Sequence, residues 1–198
     1  MADISAKLVK ELRDKTSASM MKCKEALKEA GGDLEKAETI LRKKGIEGAD
    51  KKAGRSAKEG VIASYIHLQG KVGVLIEVNC ETDFVAKNDS FRDFVKDITL
   101  HIAAAQPICV SREEVDPAVV EKEREIFAEQ VKGKPENIID KIVDGKMNKY
   151  YSTVCLLEQG FVKDPDQTIE QLVKSKVAEL GENILIKRFT RYAVGEEG

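Results

Sequence analysis

The chain has no tryptophan, two histidines and four prolines, and aromatics make up 5% of its 198 residues. Imidazole this scarce leaves little for general acid–base work or a histidine-rich metal centre. The four cysteines, Cys23, Cys80, Cys109 and Cys155, lie far apart and form no Cys-x-x-Cys pair, which argues against a zinc motif. Each falls in an apolar pattern that reads as a buried small hydrophobe, and none sits in a nucleophile turn. Gly31-Gly32 has no Gly-Lys-Ser/Thr sequel, so no phosphate loop is expected. No apolar run approaches the ~20 residues of a membrane span, and the first residues lack a signal-peptide core. Neither charge sign dominates: 33 basic residues meet 35 acidic ones, for a net −2. That balance gives no bulk attraction to nucleic acid or to an anionic membrane. These absences predict a cytoplasmic protein that is not an enzyme and needs no metal or cofactor.

What is present is a globular composition, 42% apolar and 34% charged, long enough for one or two domains. Ile4, Leu8 and Leu12 form one helical stripe. Met20, Cys23 and Leu27 form a second, with Thr16 or Ser17 as its cap and Gly31-Gly32 to stop it. Asp33 caps a third helix carrying Leu34, Ala37 and Leu41 and closed by Gly45. Residues 1–46 therefore predict a three-helix domain similar to ubiquitin-associated modules. A Gly- and Ala-rich stretch, 47–59, reads as a linker. Residues 1–57 hold 14 basic and 10 acidic side chains, so a mildly basic arm precedes an acidic body.

From Val61 the period changes to two. Val61 to Leu68, a turn at Gln69-Gly70, and the alternating Val72, Val74, Ile76, Val78 and Cys80 predict a β-hairpin. Ser90 and Asp93 read as a capping box for a helix bearing Phe91, Phe94, Val95, Ile98 and Ile102. Ile108-Cys109-Val110 is either a short strand or a buried connector. Asp116-Pro117 and Lys134-Pro135 open two helices, which predict a helical hairpin over about 117–159. Thr168 with Gln171 caps one more helix, ended by Gly181, and Ile184 to Val194 reads as a third strand. The expected class is α+β. An N-terminal three-helix module and linker precede a 60–198 core built on a three-stranded antiparallel sheet covered by helices.

Between the second strand and its helix lies Glu81-Thr82-Asp83-Phe84-Val85-Ala86-Lys87-Asn88. A large aromatic on such a polar connection is either tucked onto the core or presented to a partner. By spacing alone, tucking is the commoner outcome. With Val78-Asn79-Cys80 in front, however, the segment closely resembles the signature of the elongation factor Ts family, nucleotide-exchange factors for elongation factor Tu. Leu12-Arg13, Thr16, Met20-Met21 and Cys23-Lys24-Glu25-Ala26-Leu27 resemble that family's other signature. Gly160-Phe161-Val162, after Tyr150-Tyr151 and Cys155-Leu156-Leu157-Glu158, sits where the family places such a run.

The resemblance implies an exchange factor that promotes GDP release from elongation factor Tu. Thr82, Asp83, Phe84 and Val85 would disturb the partner's magnesium and phosphate site. Arg13, Met20, Met21 and His101 are carried over as partner-binding residues. Met20 shares the stripe of Cys23 and Leu27 and by its position reads first as core, whereas Met21 points ~100° away and reads as exposed. His101, placed off the Phe94–Ile98 line, would by itself be a surface or satisfied histidine. Longer family members carry two unequal core halves and this chain has room for one. A homodimer through the 60–198 domain is therefore expected, although the helical hairpin alone is the alternative cover for the sheet. The rival reading is a binding adaptor that uses the ubiquitin-associated-like head; an enzyme of unknown chemistry ranks third.

Overall fold

The computed structural model describes residues 4–16, 18–133 and 135–196. Three helices come first: α1 (Ala6–Thr16), α2 (Met20–Glu29) and α3 (Leu34–Asp50). Their apolar stripes meet in one cluster, Val9, Leu12, Cys23, Ala26, Leu27 and Ala37. Ser19 caps α2 by accepting from Lys22 N–H at 3.4 Å. The expected cap Thr16 instead turns its hydroxyl back to Leu12 O at 2.7 Å, and Ser17 lies outside the described residues. Asp33 caps α3 through Lys36 N–H, as its position predicts.

The expected end of α3 at Gly45 is corrected: the helix continues to Asp50. A glycine inside a helix costs about 1 kcal/mol relative to alanine, but here a Cβ at position 45 would lie 3.1 Å from Ala178 Cβ. Gly45 is thus where α3 approaches α8 (Ile169–Leu180) rather than where it stops. Ala49 is buried, and Asp50 pairs with Lys174 at 3.0 Å. The first part of the 47–59 segment is therefore helical and packed, because small residues permit the close contact that Gly- and Ala-rich composition alone does not reveal.

β1 (Glu59–His67) and β2 (Val72–Cys80) form the hairpin, joined by a tight turn at Leu68–Gly70. With β5 (Leu185–Ala193) they make the three-stranded antiparallel sheet in the order β1-β2-β5. The alternating row Val72, Val74, Ile76, Val78 and Cys80 is buried throughout. A second sheet, absent from the sequence reading, pairs β3 (Gly160–Phe161) with β4 (Asp164–Thr168). Two residues are too short to show a period, so β3 carries no periodic signal.

After β2 a single helical turn, α4 (Asp83–Ala86), leads into α5 (Asp89–Ala105). The cap of α5 is Asn88, not the expected Ser90: the Asn88 carboxamide oxygen accepts from Ser90 N–H at 2.8 Å and Phe91 N–H at 3.4 Å. Ser90 turns instead to Glu179, donating at 2.6 Å. Residues 108–110 resolve as a connector: Cys109 forms only an isolated bridge with Cys155, and their sulfurs lie 3.7 Å apart. α6 (Pro117–Glu129), capped by Asp116, and α7 (Glu136–Val154) form the expected helical hairpin. It closes around Val131, Val143 and Met147, with Phe127, Ile139 and Ile142 against them.

By density of contacts the chain divides into two units. One comprises Met1–Val61, Asn79–Phe94 and Gln171–Leu185; the other comprises Ile62–Val78, Val95–Glu170 and Ile186–Gly198. The first collects α1 to α3, the α4 turn and most of α8. The second collects most of the sheet, the body of α5 and the helical hairpin.

Candidate partner-binding site

The α4 turn is held from both sides by α8 and the loop after it. Gly181, at a φ of +80°, turns the chain out of α8 as left-handed glycines do at helix C-termini. This brings Glu182 against the end of β2. One Glu182 carboxylate oxygen accepts from Glu81 N–H and Thr82 N–H, each at 3.0 Å. The other accepts from the Thr82 hydroxyl at 2.6 Å. Reciprocally, Glu81 accepts from Asn183 N–H at 2.7 Å. The Asn183 carboxamide then donates to Ala53 O at 3.3 Å and Arg55 O at 2.8 Å. On the far side of the turn, Glu179 and Lys176 both bond Ser90.

The Thr82 hydroxyl proton goes to Glu182, which leaves its oxygen to accept from Val85 N–H at 3.4 Å. Thr82 is therefore the cap of α4. The Cys80 thiol donates to Thr82 O at 3.2 Å; burial, with the Glu182 carboxylate nearby, pushes this thiol up to about 11. It stays a neutral donor at physiological pH. Buried Ala86 faces inward and anchors the turn.

Asp83 and Phe84 occupy the first two positions of this short helix and face outward. Phe84 is 82% exposed, so the tucked alternative is excluded. With Ala86 as the only buried residue of a four-residue turn, nothing among the described residues covers the outward side of α4. Asp83 pairs with Lys87 at 2.7 Å, and that hydrogen bond holds its carboxyl below the ordinary range. Thr82 and Val85 flank the pair and are half-buried. The arrangement presents a carboxylate beside a bare aromatic ring on a firmly bonded base.

Arg13 is exposed on α1. Met21 is 69% exposed, and Met20, at 44%, is exposed as well. The core alternative for Met20 is therefore corrected. α2 begins at Met20 itself, so that side chain stands at the open first turn while Cys23, Ala26 and Leu27 fill the interior. Arg13, Met20, Met21 and the α4 turn all belong to the first compact unit.

His101 belongs to the second unit and is fully buried, at 0% exposure. Its Nε2 meets the Gln159 side-chain oxygen at 2.9 Å, and its Nδ1 accepts from Val162 N–H at 3.2 Å. With both ring nitrogens occupied and no exposed surface, its assignment as a partner contact is corrected: it ties internal elements together. The signal was present in the spacing, because His101 follows Phe94 by seven residues, two helical turns, and shares its face. Glu182 and Asn183, which shape the site, carried no sequence signal. About 100 residues separate them from the segment they hold.

No group of three or more His, Cys, Asp or Glu side chains suited to a metal ion occurs among the described residues. No helix among them is long and apolar enough to cross a membrane.

The family model described as Elongation factor TS matches residues 3–196. The chain is 57% identical over 195 residues to the protein named Elongation factor Ts of Geotalea daltonii, spanning 98% of this chain and 90% of that one. It is 57% identical over 196 residues to the Elongation factor Ts of Alkaliphilus oremlandii, with the same 98% and 90% coverage. Identity to the Elongation factor Ts of Geobacter metallireducens is 58% over 195 residues, again covering 98% and 90%.

Proposed function

The chain belongs to the elongation factor Ts family of translation elongation factors, and from that premise we propose that it is a guanine-nucleotide exchange factor for elongation factor Tu. The observation that carries this reading is Phe84, a bare aromatic on a capped, doubly tethered turn. An exchange factor binds the nucleotide-free partner better than the loaded one, and by linkage it weakens nucleotide as much as nucleotide weakens it. A ~10⁴-fold shift needs roughly 5.5 kcal/mol of differential affinity, more than one contact commonly gives. Phe84 and Asp83 enter beside the partner's magnesium and phosphate site, while Arg13, Met20 and Met21 supply further holding contacts. Magnesium neutralises phosphate charge, so displacing its surroundings releases GDP.

The deciding measurement is release of a fluorescent GDP analogue from elongation factor Tu. Sub-stoichiometric amounts of this protein should accelerate it severalfold. Binding without acceleration would instead support the adaptor reading, which the exposed Met20 and Met21 pair on the three-helix head favours.

The working form is a homodimer in the cytoplasm. Ile62, Ile66 and Leu75 are exposed on the sheet, and β1 and β5 are its edges; a second copy covers such features. Sedimentation equilibrium at micromolar concentration should return twice the 21.9 kDa of one chain. A mass of one chain alone, together with one copy of the chain per complex with elongation factor Tu, would refute the dimer.

A further inference from the structure

We infer that Glu182 is a positioning residue for exchange, acting through Thr82 to fix the direction in which Phe84 points. This rests on the reading that Phe84 does the work on the partner. The geometry is specific to a carboxylate. Its two oxygens take three donors, the Glu81 and Thr82 amides and the Thr82 hydroxyl, and offer none in return. Charge-assisted bonds of this kind are short and orienting. The Thr82 hydroxyl has a single proton, and committing it to Glu182 leaves the lone pair that caps α4 at Val85. The orientation of a one-turn helix thus depends on a side chain about 100 positions away in sequence.

Four further hydrogen bonds make this a built device rather than one ion meeting two amides and a hydroxyl. The reciprocal bond from Asn183 N–H to Glu81 closes the pair of segments into a ring. The Asn183 carboxamide fastens that ring to the carbonyls of Ala53 and Arg55. Glu179, three residues earlier, holds Ser90 and so the other end of the α4 segment. A helix of one turn has no stability of its own, since nucleation fixes more dihedrals than its hydrogen bonds repay. What keeps Phe84 in one orientation must therefore come from these tethers. A glutamine at 182 keeps one accepting oxygen, so its NH₂ would stand against either the two amides or the Thr82 hydroxyl; part of the three-donor set is lost and the hydroxyl that caps α4 is less firmly oriented.

The test exploits the absence of tryptophan from the chain. Phe84→Trp installs a sole indole at the site, and time-resolved anisotropy reads its local motion without any partner. In that background Glu182→Gln should increase the amplitude of fast indole motion at least twofold, with Glu182→Asp falling between. In the Phe84 protein, Glu182→Gln should slow GDP release at saturating factor about tenfold or more while changing the half-saturating concentration less than threefold. Val177→Ala, at a buried position on the helix α8 that precedes Glu182, controls for stability alone. It should lower the melting temperature without either effect.

Unchanged indole motion in Glu182→Gln overturns the inference. So does Val177→Ala reproducing both effects at a similar loss of stability. The two ideas fail separately. If Phe84→Ala leaves release unchanged while Glu182→Gln still loosens the indole, the wedge role of Phe84 is wrong and the tether stands. If Phe84→Ala slows release and Glu182→Gln does not, the positioning role is wrong and the wedge stands.

Discussion

The imidazole of His101 and the carboxamide of Gln159, 58 residues apart in sequence, meet at 2.9 Å in the interior. Gln159 donates its NH₂ to Ala105 O at 3.2 Å and Thr153 O at 2.6 Å, so its oxygen faces the ring as an acceptor. Val162 N–H donates to Nδ1, which places the single ring proton on Nε2. Burial lowers the His101 pKa. The unfolded chain, with its histidine near 6.5, therefore binds the proton more readily than the folded one. Stability from this site is complete above about pH 6.5 and is lost as pH falls toward the lowered folded value, by up to ~1.4 kcal/mol per unit. Urea unfolding of the parent and His101→Gln between pH 5 and 8 checks this. Equal slopes in the two proteins would remove His101 as the cause.

Phe84→Ala should leave the melting temperature almost unchanged, because an 82% exposed ring contributes within about 0.5 kcal/mol to folding. In the same protein, GDP release from elongation factor Tu at saturating factor should fall at least tenfold. A large loss of stability would mean that the ring is packed in solution.

Gly160→Ala is expected to destabilise by about 1–3 kcal/mol, the range for forced overpacking. A Cβ at 160 would lie 2.9 Å from Pro165 O; the Cβ is fixed by the strand it hangs from and the oxygen belongs to the backbone of its partner, so neither can rotate away. Urea titration should show a lower midpoint with an unchanged slope. An unchanged midpoint would show that the pair opens freely.

All four cysteines are buried, and burial pushes the Cys155 thiol up to about 12. The native protein should therefore react negligibly with an aromatic disulfide reagent over minutes at pH 8, since the thiolate is the nucleophile. All four should react after denaturation. Prompt titration of one thiol in the native state would contradict the burial.

A fragment beginning at Gly60 should fold, which would support treating 60–198 as a domain. Without residues 1–59, however, Asn183 loses its Ala53 and Arg55 acceptors and Lys174 loses Asp50. Its melting temperature should drop by several degrees, and its exchange activity should be much reduced. An unfolded or aggregated fragment in circular dichroism would reject the division; full activity would reject the assigned roles of Arg13 and Met21.

Local rules determined much of this protein before any coordinates. The stripes of α1 to α3, the alternation of β2, the Asp116-Pro117 start of α6 and the Gly181 stop of α8 are short-range patterns, and each gave rise to its element, although α3 runs on past its expected stop to Asp50. The signature around Phe84 was equally legible as a string of residues. Tertiary structure decided what no window of neighbouring residues contains. Spacing left Phe84 between tucked and presented; only the ties to Glu182 and Glu179 turned it outward. His101 carried a surface reading until Gln159 and Val162 N–H enclosed it. Gly45 read as a stop until Ala178 made it a contact. In each case the deciding partner lies tens to more than a hundred residues away. Hydrogen bonds and close packing depend on distance in space, which a period along the chain does not encode.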